Sequence, residues 1–85
     1  MIEVSGVRVK IPEFTTSDFK YKFYPVFEKN WFSINLMIDP KEIAGTFGFR
    51  VKNPVYLHIG GVKLWETLFD IKIYPDLLIG FEVRL

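Results

Sequence analysis

The 85-residue chain contains no cysteine and no glutamine, one histidine (His58) and one alanine (Ala44). Without cysteine there are no disulfides, no thiolate nucleophile and no thiolate metal ligand, so the fold does not rely on an oxidising compartment. A single histidine with no cysteine leaves zinc without a ligand set. No apolar run approaches the ~20 residues of a membrane-spanning helix. Ile2-Glu3-Val4-Ser5 alternates like a strand and lacks the charged and apolar regions of a signal peptide, so an intracellular setting, cytoplasmic or virion, is expected. The scarcity of thermolabile side chains beside many Lys, Ile, Phe and Tyr suits either a thermophilic source or an AT-rich genome.

Charge is equally uninformative about a partner. Eleven basic residues stand against ten acidic ones. They divide evenly along the chain, so neither half is a basic arm or an acidic tail. The Gly60-Gly61 pair lacks the following helix and lysine of a phosphate-binding loop. None of Ser5, Ser17 and Ser33 sits in the glycine-rich elbow that a Ser-His-Asp nucleophile requires. Carboxylate pairs such as Glu66 and Asp70 read as solvated acids near a strand junction. The expectation is a non-enzyme with no cofactor and no metal.

What the chain does have is alternation. Almost every segment repeats with a period of two, the mark of half-buried strands. IEVSGVRVKI changes parity at Ser5-Gly6, which a bulge would repair. Residues 12–18 read as a loop. FKYKFYPVFE and WFSINLMI form a hairpin about Lys29-Asn30, with Phe27 against Phe32 and Phe23 against Leu36. Asp39-Pro40 followed by Glu42 and Gly45 gives the one helix signal, a short turn near residues 39–45. The stretch from Phe47 to Ile59 is either one strand bent at Pro54 or two strands joined by a tight turn. Gly60-Gly61 reads as a hairpin turn, and a third hairpin centres on Pro75-Asp76 and ends in strand through Leu85. The sum is a single all-β domain over 1–85, a small barrel or compact two-sheet sandwich of seven or eight short antiparallel strands. A barrel is preferred because it leaves no open edges.

Parity also assigns faces. Phe47, Phe49, Leu57, Ile59, Ile79 and Phe81 fall on the expected core side. The far side gathers Tyr24, Trp31, Arg50, Lys52, Tyr56, His58, Lys63 and Trp65, with Tyr56 opposite Trp65 and His58 opposite Lys63. These eight residues form the candidate interaction surface. Aromatic and cationic side chains on a wet strand face suit a protein contact, either with a second copy or with another chain. The alternative is an OB-like groove for single-stranded nucleic acid, with bases stacked on Tyr and Trp and phosphates met by Lys and Arg. Near-neutral charge weighs against that second reading. Self-association or a structural, accessory role is therefore ranked first.

Overall fold

The computed structural model describes residues 1–84. The strands are β1 (Ile2–Lys10), β2 (Thr15–Glu28), β3 (Phe32–Ile38), β4 (Glu42–Lys52), β5 (Val55–Leu64) and β6 (Asp76–Val83). Each pairs antiparallel with the next, and β6 returns to β1, giving a closed six-stranded barrel. Each strand thus has a neighbour on both sides, although β2 pairs with β1 through Thr15–Phe23 and with β3 only through Tyr24–Glu28, so the first part of β2 is paired on one side.

The all-β class, the barrel and the antiparallel pairing follow the alternation in the sequence. The strand count is six, not seven or eight, because two expected turns do not occur. Gly60-Gly61 lies inside β5, which runs unbroken from Val55 to Leu64. The proposed third hairpin is also absent: β6 begins at Asp76, and Ile71 and Ile73 precede it in a non-strand connection. That connection opens with the 3-10 turn Trp65–Thr67. The expected helical turn at 39–45 is a strand reversal. Asp39 Oδ2 accepts the Lys41 N–H at 3.0 Å and the Asp39 N–H donates to Glu42 O at 2.9 Å, while Glu42 to Gly45 already belong to β4. A short polar side chain that caps its own turn serves a reversal as well as a helix start.

Other local expectations resolve as follows. The choice at Pro54 falls to two strands, with β4 and β5 meeting at Asn53-Pro54. No bulge interrupts β1 at Ser5-Gly6, and Thr15 to Asp18 pair with β1 instead of forming a loop. In the β2–β3 hairpin the reversal lies at Asn30-Trp31, where Lys29 and Phe32 exchange backbone hydrogen bonds of 2.7 and 3.4 Å. A bulge between Pro25 and Phe27 then shifts the register, so Tyr24, not Phe23, meets Leu36. Leu85 lies outside the described residues.

The larger correction concerns which face is inside. On β1 and β2 the bore holds Val4, Phe19 and Phe23. On β3 to β6 it holds the polar Ser33, Asn35, Thr46, His58 and Glu82, the small Ala44, Gly48 and Gly80, and the apolar Val62 and Leu78 with Tyr56, all of them buried. Phe47, Phe49, Ile59, Ile79 and Phe81, expected in the core, lie outside at 36–54% exposure. The reason is volume. An eight-stranded barrel is just wide enough to be filled by side chains, and six strands enclose less. One belt of paired residues runs Ser33, Gly48, His58, Gly80, Gly6, Phe19, and its glycines leave room for the imidazole and the phenyl ring.

The glycines of the bore are close-approach positions. A β-carbon at Gly80 would lie 2.8 Å from Ser5 O and 2.9 Å from a Phe19 ring carbon. At Gly60 it would overlap the backbone carbonyl of Gly45. On the outer face, by contrast, a β-carbon at Gly45 would meet its nearest atom, in the Leu36 side chain, at an ordinary 3.6 Å. Gly60→Ala is therefore expected to destabilise the barrel by ~1–3 kcal/mol through overpacking. Gly45→Ala should stay within ~0.5 kcal/mol, as surface changes usually do. Urea unfolding of both variants checks the contrast, and equal costs would contradict the inside-outside assignment.

Candidate functional site

Two features stand out: a buried polar cluster inside the barrel and an apolar sheet on its outside. The cluster is built by alternation. Ser33 and Asn35 of β3, Thr46 of β4, His58 of β5 and Glu82 of β6 share the inward parity, and closure brings them together. Glu82 Oε1 lies 2.8 Å from His58 Nε2, and Glu82 Oε2 accepts from Arg84 Nε at 2.6 Å. A carboxylate only accepts, so Nε2 carries the imidazole proton and Nδ1 is the acceptor. Thr46 Oγ1 is 3.0 Å from Nδ1, and Asn35 Nδ2 donates to Thr46 Oγ1 at 3.3 Å and to Ser33 Oγ at 3.1 Å. Proton donation thus runs from Asn35 through Thr46 and His58 to Glu82. Arg84 continues the chain outward: its guanidinium lies 4.2 Å over the Tyr56 ring, and Nη2 stands 2.8 Å from Glu28 Oε1 as an ion pair without hydrogen-bond alignment.

Thr46, His58 and Glu82 repeat the hydroxyl, imidazole and carboxylate order of a nucleophilic triad. Their exposures are 2%, 0% and 3%, which leaves no surface for a substrate to reach. The arrangement satisfies buried polar groups and fixes strand register. Among the described residues Asn35 Oδ1 and Arg84 Nη2 are the buried side-chain atoms without a hydrogen-bond partner. Burial pushes the His58 pKa below its ordinary value, against the opposing pull of Glu82. At the other end of the bore Arg8 is held by Asp76 at 2.7 Å, Tyr21 at 2.8 Å and Glu42 at 3.3 Å. Among the described residues no group of three or more His, Asp or Glu is arranged to hold a metal. None of their helices is long and apolar enough to cross a membrane.

The outer face of β3 to β6 is different in kind. Register places Phe32, Phe49, Leu57 and Phe81 in one row across the strands. The next row is Ile34, Phe47, Ile59, Ile79 and Val7, and the third is Leu36, Gly45, Gly61, Leu77 and Val9. No charge interrupts these rows. At one corner Trp31 stacks on Phe49 with 6.3 Å between ring centroids, and Phe32 stacks on Phe47 at 6.2 Å. The outer face of β1 and β2 carries Glu3, Ser5, Asp18, Lys20 and Lys22 instead, so the apolar surface covers one side of the barrel and does not encircle it.

The eight residues singled out from the sequence scatter. His58 and Tyr56 are inside the bore, because their strand presents that parity inward. His58 faces Gly48 and Gly80 instead of Lys63, and Tyr56 faces Arg50 and Glu82 instead of Trp65. Trp65 donates from Nε1 to Asp39 O at 2.7 Å, and Lys63 Nζ donates to Asp70 O at 2.7 Å and Leu68 O at 3.4 Å. Trp31 and Arg50 do come together, through an Arg50 N–H to Trp31 O bond of 2.9 Å. Lys52 is exposed near the same barrel end, and Tyr24 is exposed on β2 opposite Leu36. The buried cluster had one usable signal in the sequence: Gly48, Gly60 and Gly80 share its parity. No known family, curated protein or solved structure matches this chain.

The unfolded chain takes up a proton at His58 below about pH 6.5, while the folded chain resists it. The stability contributed by the neutral imidazole is therefore full above that pH and falls as pH drops below it. Between pH 7 and pH 5 the wild type should lose more unfolding free energy than His58→Gln, by at most ~1.4 kcal/mol per pH unit. Denaturant titrations at the two pH values test this, and parallel losses would count against a neutral buried imidazole.

Proposed function

We propose that this protein is a non-enzymatic β-barrel module that works by self-association, using the outer face of β3 to β6. The observation that carries the reading is the uninterrupted apolar surface there. Phe47, Phe49, Val51, Ile59, Ile79, Phe81 and Val83 are each 36–64% exposed. At ~150–200 Å² per full side chain they leave on the order of 600 Å² of apolar surface in water, the upper end of what a monomer carries. A stable dimer buries about 800 Å² on each partner, so this face supplies most of what one needs. Small barrels also gain in stability from area buried between copies.

Binding of single-stranded nucleic acid draws less support. Phosphate contacts dominate such affinity, and the three rows offer apolar side chains and no cation. The Trp31 ring is already stacked on Phe49, which occupies one of its faces. The basic side chains Arg50 and Lys52 sit at the barrel end, beyond these rows.

Sedimentation velocity over roughly a hundredfold range of protein concentration is the test. The wild type is expected to sediment as a dimer or larger species. Ile59→Lys, at the centre of the middle row, should move it toward monomer while leaving the monomer's unfolding midpoint nearly unchanged, since Ile59 does not line the bore. A wild type that stays monomeric throughout would falsify the proposal. Quenching of Trp31 by single-stranded RNA without self-association would favour the nucleic-acid reading instead.

A further inference from the structure

The 65–75 connection presents the most exposed large apolar side chains among the described residues: Phe69 at 93% and Ile71 at 91%. They are held out by hydrogen bonds at the base of the connection. Lys63 Nζ grips the carbonyls of Leu68 and Asp70, Asp70 N donates to Thr67 O at 3.1 Å, and Ile73 N donates to Asp70 O at 3.2 Å. Asp70 Oδ1 also accepts the Lys72 N–H at 3.0 Å. A braced segment that keeps two large apolar side chains in water calls for a counterpart.

A counterpart of the right chemistry lies on the same chain. Beside the base of the connection the apolar sheet sinks into a groove of about 750 Å³. Its floor is low because Gly45 and Gly61 face each other across β4 and β5 and carry no side chains, and Pro75 closes the Gly61 end, 3.4 Å from where a β-carbon on that glycine would lie. Ile34, Leu36, Phe47 and Leu68 form its walls. Few polar atoms line it, and it is wide enough for a phenyl ring and a branched aliphatic chain.

We infer that the protein self-associates by reciprocal exchange, with Phe69 and Ile71 of each copy seated in the Gly45/Gly61 groove of a second copy about a two-fold axis. This rests on the self-association reading and adds the occupant of the groove. A two-fold interface needs a surface that is complementary to itself, and a protrusion adjoining a groove provides one. The two side chains add on the order of 300 Å² to the ~600 Å² of the sheet, which brings the apolar area past the ~800 Å² per partner of a stable complex. The glycines of the floor take a specific role here: Gly61 lets Pro75 of the connection pack close to the sheet, and Gly45 leaves space beside Leu36 for the incoming side chains.

The absence of cysteine makes the test clean. The full chain carrying Ile34→Cys and Ile71→Cys is treated with a mild chemical oxidant, and the linked peptides are mapped. The expected product is a dimer in which the sulfur introduced at one position is bonded to that at the other position of the second copy. A bond within one chain would overturn the exchange, since the connection would then cover its own groove. Dimers that persist in the ultracentrifuge without the cross-link would also overturn it, while leaving self-association intact. A chain that is monomeric throughout would remove both readings together.

Phe69→Ser provides a second measurement that does not touch the barrel's interior. It should weaken the dimer roughly tenfold or more, as loss of a central aromatic anchor does. An unchanged dissociation constant would overturn the exchange.

Discussion

The bore of a six-stranded barrel is narrow, and most of this structure follows from that. Strand closure draws six backbones so close that Gly6, Gly60 and Gly80 have no space for a β-carbon beside the neighbouring backbone. Each belt of the interior can hold only a few side chains, as in the row where Ser33, His58 and Phe19 alternate with glycines. Large aromatic and branched residues on β3 to β6 cannot all turn inward. They are displaced to the outside, and the apolar outer face is the counterpart of the crowded interior.

The same constraint explains why polar groups occupy the bore. His58, Glu82, Asn35, Ser33 and Thr46 are small enough to fit or flat enough to lie against glycine, and they are nearly all satisfied by one another. Burying a carboxylate and a guanidinium is costly unless each has partners, and a lost partner leaves an uncompensated charge. Glu82 meets that condition with His58 on one oxygen and Arg84 on the other. Such a network contributes less to net stability than to fixing one register among β3 to β6, since sliding β5 by one residue would place Leu57 or Ile59 where the imidazole sits.

An apolar outer face over a buried polar cluster departs from the usual distribution on only one side of the barrel, where Ala44, Val62 and Leu78 still join the core. The β1–β2 side is conventional, with Val4, Phe19 and Phe23 inside and Glu3, Lys20 and Lys22 outside. This division gives the molecule a wet side and a dry side. The sheet rows, the glycine-floored groove and the braced 65–75 connection all lie toward the apolar side.

The period-two pattern by itself determined an all-β domain, because alternation over so many short segments fits no other regular structure. It also located the β2–β3 hairpin to within a few residues, and it left Phe47 to Ile59 open between one bent strand and the β4–β5 pair that forms. It did not determine which parity is buried. Alternation offers two faces, and the larger apolar residues ordinarily mark the inner one; here Phe47, Phe49, Ile59, Ile79 and Phe81 mark the outer. Gly60-Gly61 was ambiguous for a related reason, since glycine serves a tight turn and a close strand approach equally well. Only closure of six strands decided both matters, by setting a bore that takes Phe19, Phe23, Leu78 and one imidazole beside its glycines and leaves no room for the phenyl rings of β4 and β6.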